Sequence, residues 1–141
     1  MLPQVMAIQR KVCPVVIRRI QGRIEILAFR HPIAGYQLVK GTIEAAETMQ
    51  AAAERELLEE SGVVGTAVGY LGLAQMTDPE QEWHFVACEV GPLPDSWTHR
   101  TSDGGGLDFE FFWHPMTEEL GEGWHPIFKQ ALGFIGQHVK A

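Results

Sequence analysis

The sequence predicts an α+β fold in which a mixed β-sheet lies between helices, an α/β/α sandwich. Three observations carry this. Apolar, β-branched segments with strand character stand on both sides of one uninterrupted helical run, Met49 to Ser61. That run has a start and a stop signal of its own. The C-terminal stretch then repeats Ile127, Phe128, Ala131, Leu132, Ile135 and Val139 at helical spacing. Strands, a helix, more strands and a closing helix assemble most simply as a sheet with a helix on each face.

In chain order, Val12 to Ile20 is apolar and β-branched and reads as one strand, with Pro14 placing it near an edge or a strand start. Gln21-Gly22 makes a hairpin turn. Arg23 to Arg30 is a second strand with both faces largely covered, ended by His31-Pro32. Tyr36 to Val39 is a short strand leading to the Gly41 loop. Thr48 is the expected N-cap of the helix, because its hydroxyl can accept from a free N–H of the first turn. Gly62 stands where a left-handed residue ends it. Met49, Ala53 and Leu57 form a row at spacings of four that can face a core.

After the helix, Val64 to Gln75 is a strand with a bulge expected at Gly69 or Gly72. Asp78 to Gln81 turns back into the strand Glu82 to Val90, its hairpin partner. Gly91 to Asp95 is a loop. Trp97 to Gly106 is polar, ends in three glycines and is expected to be a mobile loop. Leu107 to Trp113 alternates as a half-buried strand, stopped at His114-Pro115. Gly123 to Val139 is the last helix, with Pro126 suited to its first turn.

The chain of 141 residues suits one domain, 1–141, with a core of its own. Its 45% hydrophobic and 21% charged residues are those of an ordinary globular protein. A net charge of −7 argues against a protein that coats nucleic acid, and no nucleic-acid polymer is expected as partner. It also means that an anionic ligand needs metal or local cations to approach. The two cysteines, Cys13 and Cys88, sit in apolar runs and read as buried free thiols. No run has the length of a membrane span and the first residues lack a secretory pattern, so no membrane role and a cytoplasmic address are expected.

The helix carries the chemistry. Glu56, Glu59 and Glu60 lie at i, i+3 and i+4, so their carboxylates share one patch, where like charges repel by a few tenths of a kcal/mol per pair. The expectation is that no Lys or Arg one turn away from Glu59 or Glu60 offsets this. A plain solvated acidic face is the bland reading. A hard divalent cation bound by clustered carboxylate oxygens explains the pattern better.

These residues resemble the Nudix box. Gly41 is followed by Glu47, and then by Arg55-Glu56-Leu57, Glu59-Glu60 and Gly62-Val63, at every fixed spacing of that motif. The resemblance implies a Nudix-like, MutT-like α/β/α sandwich that hydrolyses a pyrophosphate bond in a nucleoside diphosphate linked to another moiety, with Mg²⁺ as cofactor or Mn²⁺ in its place. It implies catalytic roles for Glu56, Glu59 and Arg55. Metal would be held by Glu56, Glu59, Glu60 and the Lys40 carbonyl, with Glu56 alternatively accepting the proton of the attacking water. Gly41, Glu47 and Gly62 would be structural, Glu47 pairing with Arg55. Two positions depart from the usual pattern: Val39 stands where a proline is common, and Ala46 where a glycine is common.

Family members often add an acid from outside the box. Asp108 is the first candidate here, with Asp103 and Glu110 behind it. Substrate contacts are expected from Lys40, from Tyr36 and from Trp97, the last chosen for its place in a polar loop; Trp83 and Phe109 are further aromatic candidates for stacking on a base. The histidines show no zinc spacing, and the Gly104–Gly106 run lacks the Lys-Ser/Thr of a phosphate loop. The resemblance implies a small nucleotide as partner, with oligomeric state left open, a homodimer included. Two other functions compete: a nucleotide sensor that keeps the fold without catalysis, and removal of a 5′ cap or pyrophosphate from RNA. Retention of all the box acids weighs against the first, and the acidic balance against the second.

Overall fold

The computed structural model describes residues 8–102 and 105–139. Its elements are β1 (Gln9–Val15), β2 (Ile17–Ile20), β3 (Arg23–His31), β4 (Gly35–Gln37), β5 (Gly41–Thr42), α1 (Met49–Ser61), β6 (Thr66–Met76), β7 (Gln81–Glu89), β8 (Trp97–Thr101), β9 (Leu107–Pro115) and α2 (Pro126–His138). The strands form two sheets rather than one, in the orders β5-β1-β7-β6 and β2-β3-β9-β8, with β4 on β3. The first is mixed, because β1 and β7 run parallel from Gln9↔Gln81 to Val15↔Ala87. A parallel pair needs a long crossover, and α1 lies on it.

The predicted strand Val12 to Ile20 is divided. It leaves one sheet after Val15 and enters the other at Ile17. Pro14 pairs across β7 in register with Val86, while β5 reaches only Lys11 and Val12. The missing N–H of Pro14 therefore falls beyond the end of β5, the edge setting that proline tolerates. The Gln21-Gly22 turn is present, with positive φ at both residues (50° and 76°), as a two-residue hairpin requires. The bulge expected at one of two glycines occurs at both, with register shifts at Ala67/Gly69 and Tyr70/Gly72.

Side chains alternate across a strand, and β1, β3 and β7 use both faces. Val12, Leu27, Phe29, Val86 and Cys88 pack with Ala52, Ala53 and Leu57 of α1. Cys13, Val15, Ile26, Ala28, Trp83 and Phe85 pack with Ile127, Phe128, Ala131 and Ile135 of α2. The two helices thus cover opposite faces, as predicted. Helix α2 starts later than Gly123, at Pro126, with the His125 ring accepting the Ile127 N–H as N-cap.

One prediction fails outright. Trp97 to Thr101 is not part of a loop but strand β8, paired with β9 from Trp97↔Phe111 to Thr101↔Leu107. Its polar residues sit on an edge strand, where one face and one margin meet water.

Candidate active site

Helix α1 is fixed at both ends by local chemistry. The Thr48 hydroxyl accepts the Ala51 N–H at 3.0 Å. Gly62 takes φ 76°, and its N–H donates to the Leu58 carbonyl at 2.9 Å. A Cβ at residue 62 would also lie 2.8 Å from His99 Nδ1, so bulk is excluded there as well. With Ala53 and Leu57 fully buried, the acids are left along the other side, over the loop from Lys40 to Thr42.

The guanidinium of Arg55 organises that side. Its Nε and Nη2 donate to the two oxygens of Glu47 at 2.6 and 2.9 Å. Its Nη1 donates to Glu56 at 2.8 Å and to Glu59 at 3.2 Å, and Nη2 also reaches the Thr42 carbonyl at 3.1 Å. The expectation that Glu59 lacks a cation one turn away is therefore wrong: Arg55 is the residue four before it. The bidentate contact and the Glu44 N–H hold the Glu47 carboxyl down at a pKa of about 2, although its partial burial acts the other way. The hydrogen bonds that Arg55 donates to Glu47 raise its pKa further above its already high value.

Two of the three box acids meet the Lys40–Gly41 backbone. The Glu56 carboxyl group, 9% exposed as a residue, fills the space that a Cβ on residue 41 would occupy. Glu60 accepts the Lys40 N–H at 3.3 Å. The donor chemistry fits a hard divalent cation, since carboxylate oxygens converge on a backbone turn that glycine keeps open. Among the described residues no three Asp, Glu, His or Cys side chains close on one point as they stand. Glu59 is turned to Arg55.

Beside this turn is a pocket of about 260 Å³, lined by Lys11, Gln37, Lys40, Gln81, His125 and Phe128, among others. Lys11 donates to the Thr42 hydroxyl at 2.8 Å. The sequence reading missed it, because only the pairing of β1 with β5 brings it to the box. A larger depression of about 500 Å³, lined in part by Arg30, Tyr36, Glu110, Phe112 and Trp124, shares no residue with α1 or with the Lys40–Thr42 loop. Size alone does not mark the site.

The outlying candidates are placed elsewhere. Asp108 is held by Arg100 across β8 and β9 at 3.0 Å, and Glu110 by Arg30 at 3.3 Å. Asp103 lies outside the described residues. Trp97 stacks on Phe111, ring centroids 5.2 Å apart and 8° from parallel, and donates its indole N–H to the Ser61 carbonyl at 3.0 Å. The polar loop for which it was chosen is a strand. Tyr36 stacks on Trp124 at 5.7 Å. Trp83 and Phe109 are core residues, 0% and 5% exposed.

Two sheets lie between helices, and α1 carries the acids and Arg55 of the site. The family profile for the NUDIX domain matches residues 8–131, and the chain belongs to that family. Over 78 residues it is 31% identical to the NAD-capped RNA hydrolase NudC of Vibrio cholerae, which covers 53% of this chain and 26% of that protein. The chain thus spans about a quarter of that relative. Among solved structures, a MutT protein from Methanosarcina mazei superposes with a TM-score of 0.63 at 17% identity, covering 94% of this chain and 96% of the other. An ADP-ribose pyrophosphatase from Streptococcus suis gives 0.61 at 12% identity, with 96% of each chain covered. At these identities the structural likeness speaks for the fold.

Proposed function

We propose that the protein is a metal-dependent pyrophosphohydrolase acting on a nucleoside diphosphate linked to another moiety. The observation that carries this is the set of box acids ordered by Arg55 and brought by Glu56 and Glu60 to the Lys40–Gly41 backbone. Glu56, Glu59, Glu60 and the Lys40 carbonyl would hold the ion, Mg²⁺ or Mn²⁺ in its place, with Asp108 as the outside acid if it exchanges Arg100. When bound, the ion supplies Lewis acidity toward phosphate oxygens and water. Water attacks one phosphorus, the bridging P–O bond breaks, and a mononucleotide and a phosphorylated product leave. With the ion held by the other ligands, Glu56 would instead accept the proton of the attacking water. Arg55 and Glu47 position Glu56 and Glu59, and Gly41 leaves room for them. Lys40, Tyr36 and Trp97 are the substrate contacts of this reading; the two rings would first have to part from Trp124 and Phe111.

The test is product release from ADP-ribose, NAD⁺, UDP-glucose and nucleoside triphosphates with Mg²⁺. Glu59→Gln and Glu60→Gln should each lower turnover by about 100-fold or more. Equal turnover by the variants, or none by the wild type on any of these compounds, would count against the reading.

The similarity to a protein named for NAD-capped RNA favours one second reading, a polymer substrate. Comparing free NAD⁺ with an NAD-capped oligonucleotide at two salt concentrations separates the two, since polymer binding weakens steeply with salt. The three strands shared by both cores support reading the chain as one domain. Among the described residues no helix is long and apolar enough to cross a membrane. The buried free thiols Cys13 and Cys88 support a cytoplasmic address.

A further inference from the structure

We propose that Lys11 is a substrate-binding residue which, with Lys40, holds a phosphate group of the diphosphate in the pocket beside the box. This rests on the hydrolase reading and adds to it a residue outside the motif.

Three observations lead here. Lys11 lies on β1 opposite Thr42, the residue after the box glycine, and its ammonium is anchored on the Thr42 hydroxyl. Lys11 and Lys40 line the same pocket. Glu56 and Glu60 exert some attraction on the Lys11 ammonium. Burial first, and then the Lys40 ammonium, hold its pKa below the usual value of 10.5 against that attraction.

Lys11 and Lys40 line one small pocket, and the charge of Lys40 disfavours that of Lys11. An anion between them turns repulsion into two charge-assisted contacts. The anion that the site should receive is a phosphate, on which lysine acts as a compact point charge. The net charge of −7 makes such local cations necessary, because the field of the whole chain repels the substrate. The competing account is structural, with Lys11 serving only to tie β1 to Thr42.

The experiment is calorimetry with inorganic pyrophosphate in EDTA, on the full chain, with thermal melts of each variant. Lys11→Gln should weaken pyrophosphate binding by about tenfold, as expected for one lost charge-assisted contact, and Lys11→Arg should restore most of it. In the absence of pyrophosphate, Lys11→Gln should melt close to the wild type, because the Gln amide can still donate toward Thr42 and the lost pull of Glu56 and Glu60 is offset by the lost repulsion from Lys40 and by the burial of one charge fewer. Equal affinity in wild type and Lys11→Gln overturns the assignment, as does absence of binding by the wild type at millimolar pyrophosphate. A drop in affinity accompanied by a lower melting temperature in Lys11→Gln, without rescue by Lys11→Arg, establishes the structural account instead. Hydrolysis is scored separately. Turnover with unchanged pyrophosphate binding sinks this assignment alone, whereas altered binding without turnover of any nucleotide sinks the hydrolase reading alone.

Discussion

The carboxyl group of Glu56 lies against the bare Cα of Gly41, in the volume that any larger residue would claim. Gly41 is thus a space requirement, and its backbone needs no unusual dihedral angle. Gly41→Ala should force the Glu56 side chain off Arg55 and the loop. The cost expected for overpacking is about 1–3 kcal/mol. Activity should fall further than stability does, because Glu56 is displaced. Chemical denaturation and turnover on the same preparation check both parts.

Glu47 and Arg55 should leave a mark on the acid limb of the stability curve. The folded-state pKa of Glu47, about 2, lies below the ordinary 4.5. The pair's contribution is therefore complete above about pH 4.5 and disappears as the pH falls through about 2. Glu47→Gln should lose about 1–3 kcal/mol at neutral pH, as for a hydrogen-bonded partly buried charge pair. Between those two pH values its melting temperature should fall less steeply than that of the wild type. Melts from pH 2 to 7 measure the difference.

Ala46 adopts a left-handed backbone, φ 64°, at the position where relatives of the motif commonly carry glycine. For a residue with a Cβ this conformation costs about 1–2 kcal/mol, partly returned because alanine restricts the unfolded chain. Ala46→Gly should therefore stabilise the protein slightly, by about 0.5–1 kcal/mol. A destabilised Ala46→Gly in urea titration would contradict the strain argument.

Trp97→Ala removes a ring stacked on Phe111 and an indole N–H bonded to Ser61. It should cost about 3 kcal/mol. Trp97→Phe keeps the stack and loses the hydrogen bond. If Trp97 also meets the base, Trp97→Phe should raise KM; if its role is confined to the β8–β9 pairing, only the denaturation midpoint should move.

The legible parts of the fold are those decided within a few residues. Thr48 and Gly62 bound α1, and Gln21-Gly22 turns β2 into β3, by geometry that depends on nearest neighbours. The division of Val12 to Ile20 at Val16 is hidden because the sequence is unbroken apolar from Val12 to Ile17, and only the two partner strands show where the chain changes sheet. Strand β8 was hidden for a related reason: its partner is β9, and the glycines downstream drew the reading toward a loop. At the site, the cluster of Glu56, Glu59 and Glu60 is visible from helical spacing, and the Glu47–Arg55 pair follows from the resemblance to the box. The Arg55–Glu59 contact has the i, i+4 spacing that a helix brings together. Lys11 was not visible, since Thr42 is 31 residues away along the chain.

The arginine that gathers Glu47, Glu56 and Glu59 changes what an incoming ion would meet. The helix does not wait for magnesium to become electrostatically tolerable; a guanidinium already compensates it. On the proposed reading, loading would be an exchange of partners, and whatever an ion gained from Glu56 and Glu59 would be reduced by the contacts that Arg55 gives up. Such a centre would discriminate by charge density, favouring a doubly charged ion over sodium or potassium.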